Sequence, residues 1–568
     1  MVLASRVDLV VVGVYMVLMV AIGVVMSIFN KSDSDFFKSG NKMPWWLSGI
    51  SLFMCTFSVY TFTGAAGLAY RAPSIALIMY LSNAVVMIFS VWFLASRWRR
   101  SRADTVMSYL SERYGVSTNQ LYSWTHLGVA IVQGGVMLLA LGKFVSVALG
   151  TGLGITIIVC GLVIALYCII GGLWGVVVTD TLQFMVLFPC ALIVMFLSVY
   201  ELGGLSPLVT QAPEGFWKIQ TQEFGWTFLL ANAVMMTFAM SSGAAAQRYF
   251  SVKNEKEARK VALITMILLL FAPAIWLLPP IVTRILDLDL ASITLGLNAP
   301  QEAAYVAFCL KFLPHGAIGI MLAAMLSATM SSLSGSFNVY AAVITEDIIK
   351  QVFWKKATAK KLLLIGRIVT LVLGTLVIIA AIMQAEAKGG VFILMLTIGG
   401  VVIVPAGIPI IFGLIYPHTP RWAGLASYGA GLLIGMLYLV LGKEITFTQQ
   451  IFGVGGISAL IYFLPGIFIK AKGEYKKALE RFFRKVTTPV SIEEVGDTET
   501  TDVGSFMITG WTTVGMGAAM MALVLLDVGF VGKMINLSIG AFVTVIGAII
   551  LFASRYVTRK KKPYSAIS

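Results

Sequence analysis

Runs of apolar residues about 20 long recur down this chain, and that is the length a helix needs to cross a hydrocarbon core. Marking them between charged residues and Gly or Pro turns gives about fifteen spans. Their limits fall near 8–29, 46–70, 74–96, 121–149, 155–173, 177–200, 225–245, 260–283, 315–345, 364–385, 391–415, 422–441, 449–469, 506–526 and 535–554. The fold class expected is all-α, a polytopic membrane protein with about 15 transmembrane helices, because only internally hydrogen-bonded backbone survives in lipid. Composition agrees: 59% of residues are apolar and 12% charged, against about 25% charged in soluble chains.

The net charge of +15 is read loop by loop. Arg97, Arg99, Arg100, Arg102 and Arg113 share one loop, Arg248–Lys260 a second, Lys350–Arg367 a third and Lys470–Lys485 a fourth. All four, with the Arg555–Lys562 tail, fall on one side of the expected topology. That side is expected to be cytoplasmic, with the N-terminus outside, and the cations to face anionic lipid rather than nucleic acid. The run Leu9–Phe29 exceeds a signal-peptide core and reads as a retained first span.

Several classes are excluded. Cys55, Cys160, Cys168, Cys190 and Cys309 show neither CxxC pairing nor histidine companions, so they read as core residues, not a disulfide or zinc framework. There is no phosphate loop of the G-x-x-x-x-G-K-[ST] type, which argues against an ATP-driven pump. His126, His315 and His418 are scattered near loops, so no catalytic constellation forms and an enzyme is not expected.

Two spans are too polar for passive packing in lipid. The second contains SLFMCTFSVYTFTGAAG, with Ser51, Thr56, Ser58, Tyr60, Thr61 and Thr63 before Gly64 and Gly67, and reads as a broken helix. The ninth contains LAAMLSATMSSLSGSFNVY, where Ala328, Ser331 and Ser332 share a face at i, i+3 and i+4. Hydroxyls plus carbonyls freed by an unwound helix suit sodium, a hard cation. The same hydroxyls equally suit close helix packing, and Asp180, in GGLWGVVVTDTLQ, reads either as a helix cap or as a cation ligand.

Four segments in order, FFKSGNKMPWWLSGISLF, YCIIGGLWGVVVTDTLQ, QRYFSVKNEKEARK and AAMLSATMSSLSGSFNVYAAVITEDIIK, resemble the solute:sodium symporter family, which includes sodium/galactose, sodium/proline and sodium/sialic acid symporters. The resemblance implies a ten-helix core of two inverted five-helix repeats, the first helix of each broken near the midplane. It implies a sodium site from the backbone carbonyls of Met54, Phe57 and Ala328 and the hydroxyls of Ser331 and Ser332. A second sodium would use Asp180, Ser331 and Ser334, but the last expected serine is Gly335. Candidate substrate contacts are Thr56, Ser58, Tyr60, Thr61, Asn83, Gln133 and Ser242. Thr56, Ser58 and Thr61 are similar to the sialic acid symporters, yet Gln133 stands about where those place a carboxylate-clamping arginine. The nearby Lys143 is expected to snorkel outward, and an aromatic inner gate is replaced by Ala244.

The domain reading is an extra N-terminal helix and loop (1–45), the first repeat and start of the second (46–245), the remainder (246–415), peripheral helices (416–470), a cytoplasmic linker (471–505) and a C-terminal helix pair with basic tail (506–568). The expected function is sodium-coupled import of a small polar organic solute, with sodium, solute and bilayer as partners. Proton coupling through Asp180 and a non-transporting solute sensor remain open.

Overall fold

The computed structural model describes residues 4–27, 43–56, 58–221, 224–294, 299–345, 349, 354, 358–386, 390–441, 445–469, 471–491, 494, 502–525 and 530–561. The first part runs α1 (Arg6–Ser27), α2 (Trp45–Cys55), α3 (Val59–Phe62), α4 (Gly64–Arg71), α5 (Pro73–Phe89), α6 (Ala95–Arg100), α7 (Val106–Tyr114), α8 (Val116–Leu149) and α9 (Leu153–Glu201). The second part runs α10 (Trp226–Ala239), α11 (Ala244–Phe250), α12 (Glu255–Ile285), α13 (Ala304–Phe312), α14 (Ala317–Ala342), α15 (Ala359–Gln384), α16 (Gly390–Ile398), α17 (Val404–Phe412), α18 (Arg421–Leu441) and α19 (Phe447–Phe468). It closes with α20 (Gly473–Thr487), α21 (Asp502–Met521) and α22 (Phe530–Lys561). The fold is all-helical. Among the described residues eleven helices, or twelve counting one bent pair, are long and apolar enough to span, and the segments Leu153–Ile169 and Gly510–Leu525 are shorter apolar helices.

Large apolar side chains face outward, Val17 at 70% exposure, Trp92 at 69% and Val440 at 84%, while Asp180, Arg248, Lys143, Glu302 and Asn232 are buried. That arrangement is stable only where lipid replaces water around the apolar belt.

The second expected span is broken. α2 stops at Cys55, and Ser58 takes extended backbone (φ −147°, ψ −172°) with its hydroxyl accepting the Tyr60 N–H, so a new helix starts there. The two halves bend by 51°. The seventh span is interrupted between Ala239 and Ala244, where Gly243 adopts φ +54°, a left-handed conformation that favours glycine. α14 carries the ninth span; its 18-residue apolar window is wholly buried, and it packs chiefly on α9.

α9 carries both spans expected at 155–173 and 177–200, as the apolar segments Leu153–Ile169 and Thr179–Glu201, and it is no straight rod: the Tyr167 hydroxyl meets Thr179 Oγ1 twelve residues on, where a straight helix would part them by about 18 Å. Two expectations change. The supposed linker contains α20, a docked amphipathic helix burying Leu479, Phe482 and Val486 at i, i+3 and i+7. Arg99 and Arg113, expected to meet lipid, are buried staples: Arg99 donates to the carbonyls of Val252 (2.7 Å) and Lys253 (2.9 Å), and Arg113 to the Tyr475 hydroxyl (2.6 Å).

Candidate functional site

Both helix breaks open onto one cavity of about 320 Å³. Thr56, Ser58, Tyr60 and Thr61 line it from the first broken span, Asn83 from α5, Gln133 from α8 and Ser242 from the second break. The structure thus gathers all seven candidate substrate contacts around one space. Their hydrogen bonds differ. Thr56 Oγ1 donates to Phe53 O (2.6 Å) and Ser242 Oγ to Phe238 O (2.8 Å), whereas the buried Asn83 Oδ1 has no hydrogen-bond partner. A buried amide oxygen without a partner is costly unless something comes to bond it.

Sequence reasoning missed several lining residues: Tyr80, Gln247, Ser336 and a methionine-rich wall of Met79, Met137, Met235, Met236, Met240 and Met395. Met is common in any apolar span, so nothing local marked these. His126, read as loop-proximal, lies on α8 in the cavity wall, its Nδ1 3.1 Å from Tyr122 O. Cys55, read as core, also lines the cavity; the other four cysteines are buried. Ala244 lines it too, with Phe250 of the same helix also in the wall. From the breaks the cavity reaches exposed Asp104 and neighbouring Thr105, Val106 and Met107, close to the Glu255 end of α12.

Of the sodium candidates, Ser332 lines the cavity. Met54 is in the last turn of α2 and buried, while Phe57 lies outside the described residues. On α14, Ser332 Oγ donates to Ala328 O (3.1 Å), and Ser331 Oγ is buried with no hydrogen-bond partner of normal geometry. Ser331 also lies within hydrogen-bonding range of Asp180 and Cys55, and buried hydroxyls are the kind of hard oxygen donor a monovalent cation takes.

Asp180 is neither a cap nor free. It lies inside α9, fully buried; its Oδ2 is 3.5 Å from the Arg248 guanidinium and accepts the Ser51 hydroxyl at 2.5 Å. Arg248, counted from sequence with a basic loop, is itself fully buried, bonding Ser51 Oγ (2.9 Å), Cys55 Sγ (3.3 Å) and Gln247 Oε1 (2.8 Å). Ser334 Oγ donates to Ser331 O (3.2 Å), and a Cβ on Gly335 would stand 3.1 Å from Cys55 Sγ and 3.7 Å from Arg248. The place of the missing serine is therefore crowded by the Cys55 thiol, with the guanidinium in ordinary contact beside it. Lys143 does not snorkel: it is buried and pairs with buried Glu302 at 2.7 Å.

Broken helices meeting at a central cavity, where a few hydroxyls and amides converge within a largely apolar wall, are the architecture of a secondary transporter. A family model described as the sodium:solute symporter family matches residues 36–437, and the chain belongs to that family. Similar proteins include sodium/myo-inositol cotransporter 2 of Rattus norvegicus, 26% identical over 76% of this chain and 70% of that protein. Sodium/glucose cotransporter 1 of Ovis aries is 25% identical over 68% of this chain and 64% of its own length. Among solved structures, a substrate-bound, outward-open sodium-coupled sialic acid symporter superposes with a TM-score of 0.70 at 19% identity, covering 82% of this chain and 99% of that one.

Proposed function

We propose that the protein imports a small, uncharged, hydroxyl-rich solute together with one sodium ion by alternating access. The observation that carries this reading is the cavity lining: hydroxyl and amide side chains drawn from both broken helices, with no lysine or arginine among the described lining residues. Hydroxyls and amides can both donate and accept, which suits a polyol or sugar derivative. A carboxylate would lack the charge-assisted, bidentate partner that holds it firmly, since Gln133 offers only an amide. Relatives named for myo-inositol and glucose support the same class.

Sodium would bind the carbonyls of Met54, Phe57 and Ala328 with the hydroxyls of Ser331 and Ser332, drawing the first broken span onto α14. Ordered that way, Thr56, Ser58, Tyr60 and Thr61 are pre-positioned for solute, with Asn83, Gln133 and Ser242 across the cavity. Of the candidate ligands of a second sodium, Asp180 is paired instead with Arg248, and Ser334 Oγ already donates to Ser331 O. That ion pair also argues against Asp180 as a free proton carrier. With the basic loops inside and the N-terminus outside, the end near Asp104 is cytoplasmic and this conformation is open inward.

The test is thermal stabilisation of the purified protein by myo-inositol, hexoses, sialic acid, amino acids and monocarboxylates, each in sodium and in potassium, because a ligand of the native state stabilises it by mass action. Stabilisation by a polyol or hexose in sodium alone is expected. Stabilisation by sialic acid alone would overturn the uncharged-solute reading, and sodium-independent hits would overturn coupling.

A further inference from the structure

The end of the molecule remote from Asp104 holds a buried charge pair that does not line the cavity. Lys143 Nζ lies 2.7 Å from Glu302 Oε2, with side chains only 4% and 3% exposed. The other carboxylate oxygen accepts the Val391 N–H at 2.7 Å, at the start of α16. Gly67 of α4 packs against Glu302, where a Cβ would stand 3.3 Å from its Cγ, and Gly390 leaves room for the carboxylate, since a Cβ there would meet Oε1 at 2.4 Å. One glutamate, on the 3-10 turn Pro300–Ala303, therefore joins α4, α8 and α16.

Those three elements continue directly from the cavity walls. Tyr60 and Thr61 precede α4, Gln133 and Met137 lie on α8, and Met395 and Leu396 on α16. Lys143 is ten residues beyond Gln133 on α8, about 15 Å further along the axis, towards the Ile285 end of α12, where Thr283 bonds Ala304 O at 3.0 Å. Solute entering from that end has to part these elements.

We infer that Lys143 and Glu302 form the latch of the outer gate, gripping while dry and releasing when water enters. In the closed state neither charge can lose its partner without being left bare in a low-dielectric interior, so the pair resists separation strongly. Once the gate cracks and water reaches both groups, an exposed pair is worth little and the elements part freely. The gate is thereby two-state rather than gradual. This inference rests on the alternating-access reading above.

Native Cys55 reports the gate, because it lines the cavity while the other four cysteines are buried. The experiment measures the rate at which a membrane-impermeant methanethiosulfonate modifies Cys55 of the full chain in membranes, read by mass of its peptide. Reporter variants at exposed Glu214 and Lys477, Glu214→Cys and Lys477→Cys, fix which face is which independently. Lys143→Met leaves Glu302 buried and unpaired and is expected to raise labelling from the Glu214 face at least about tenfold. Glu302→Gln, which keeps an acceptor for Val391, is expected to act likewise and serves if Lys143→Met does not fold. The double variant, with no bare charge, is expected to label more slowly than either single. Folded single variants that label at the wild-type rate, or single effects that simply add in the double, overturn the latch. Labelling needs no solute, so failure of the transport reading shows separately, as absence of sodium-driven uptake by the unmodified protein.

Discussion

Ser332 tests the sodium site most directly, because its hydroxyl and the Ala328 carbonyl it bonds at 3.1 Å are both proposed ligands. Ser332→Ala removes one oxygen of five while preserving the helix. The half-saturating sodium concentration for solute uptake should rise about tenfold, as expected for roughly 1.4 kcal/mol of lost binding; unchanged sodium dependence would remove Ser332 from the site. Asp180 calls for a stability measurement instead. Asp180→Asn leaves Arg248 buried without its counter-charge, which should cost about 3–5 kcal/mol and lower the melting temperature, and Arg248→Gln added to it should recover part of the loss. These pairs mark where sequence reading stops. The hydroxyl positions were legible because polar groups in apolar runs stand out at any distance in the chain. Lys143 was not, because its partner is 159 residues away, nor was Arg248, whose following neighbours Lys253, Glu255, Lys256 and Glu257 look like a loop.

At the scale of elements, the broken spans were visible because a run such as TFSVYTFTG is poor in helix formers and Ser58 can cap its own restart. The strap formed by α20 was visible only as charge: its three buried residues find their surface on α6 and α7, which no local pattern specifies. Arg102 secures the chain after α20, donating to Glu494 at 2.5 and 3.0 Å and to the carbonyls of Lys485 and Pro489. Hydrogen bonding from Arg102 holds the Glu494 carboxyl down at about 2, against a usual 4.5. A depressed acid lends stability that is complete above about 4.5 and is lost as pH falls from there towards 2. The pair is exposed, so the loss should stay below about 1 kcal/mol. Hydrogen exchange across 473–487, corrected for intrinsic rate, should therefore quicken up to about fivefold between pH 6 and pH 3, and Arg102→Ala should produce the same release at neutral pH. Exchange indifferent to both would detach Glu494 from the strap.

For the whole molecule, the bilayer made most of the architecture readable, since it forces spans of set length and polar groups inward. It left the charge count of the transported complex hidden, because that depends on which buried acids are already neutralised. With Arg248 against Asp180 at 3.5 Å and Gly335 in place of a serine, the region that would hold a second sodium already carries a fixed cation. Two positive charges side by side in a low dielectric repel too strongly to share one carboxylate. The protein should accordingly move one sodium per solute and one net charge per cycle. Paired tracer fluxes of sodium and solute in proteoliposomes should give a ratio near one, and the reversal potential should shift with the sodium gradient as a one-to-one symporter requires. A ratio of two would mean that Arg248 leaves Asp180 during the cycle. In that case Arg248→Gln, rather than abolishing coupling, should tighten the second sodium.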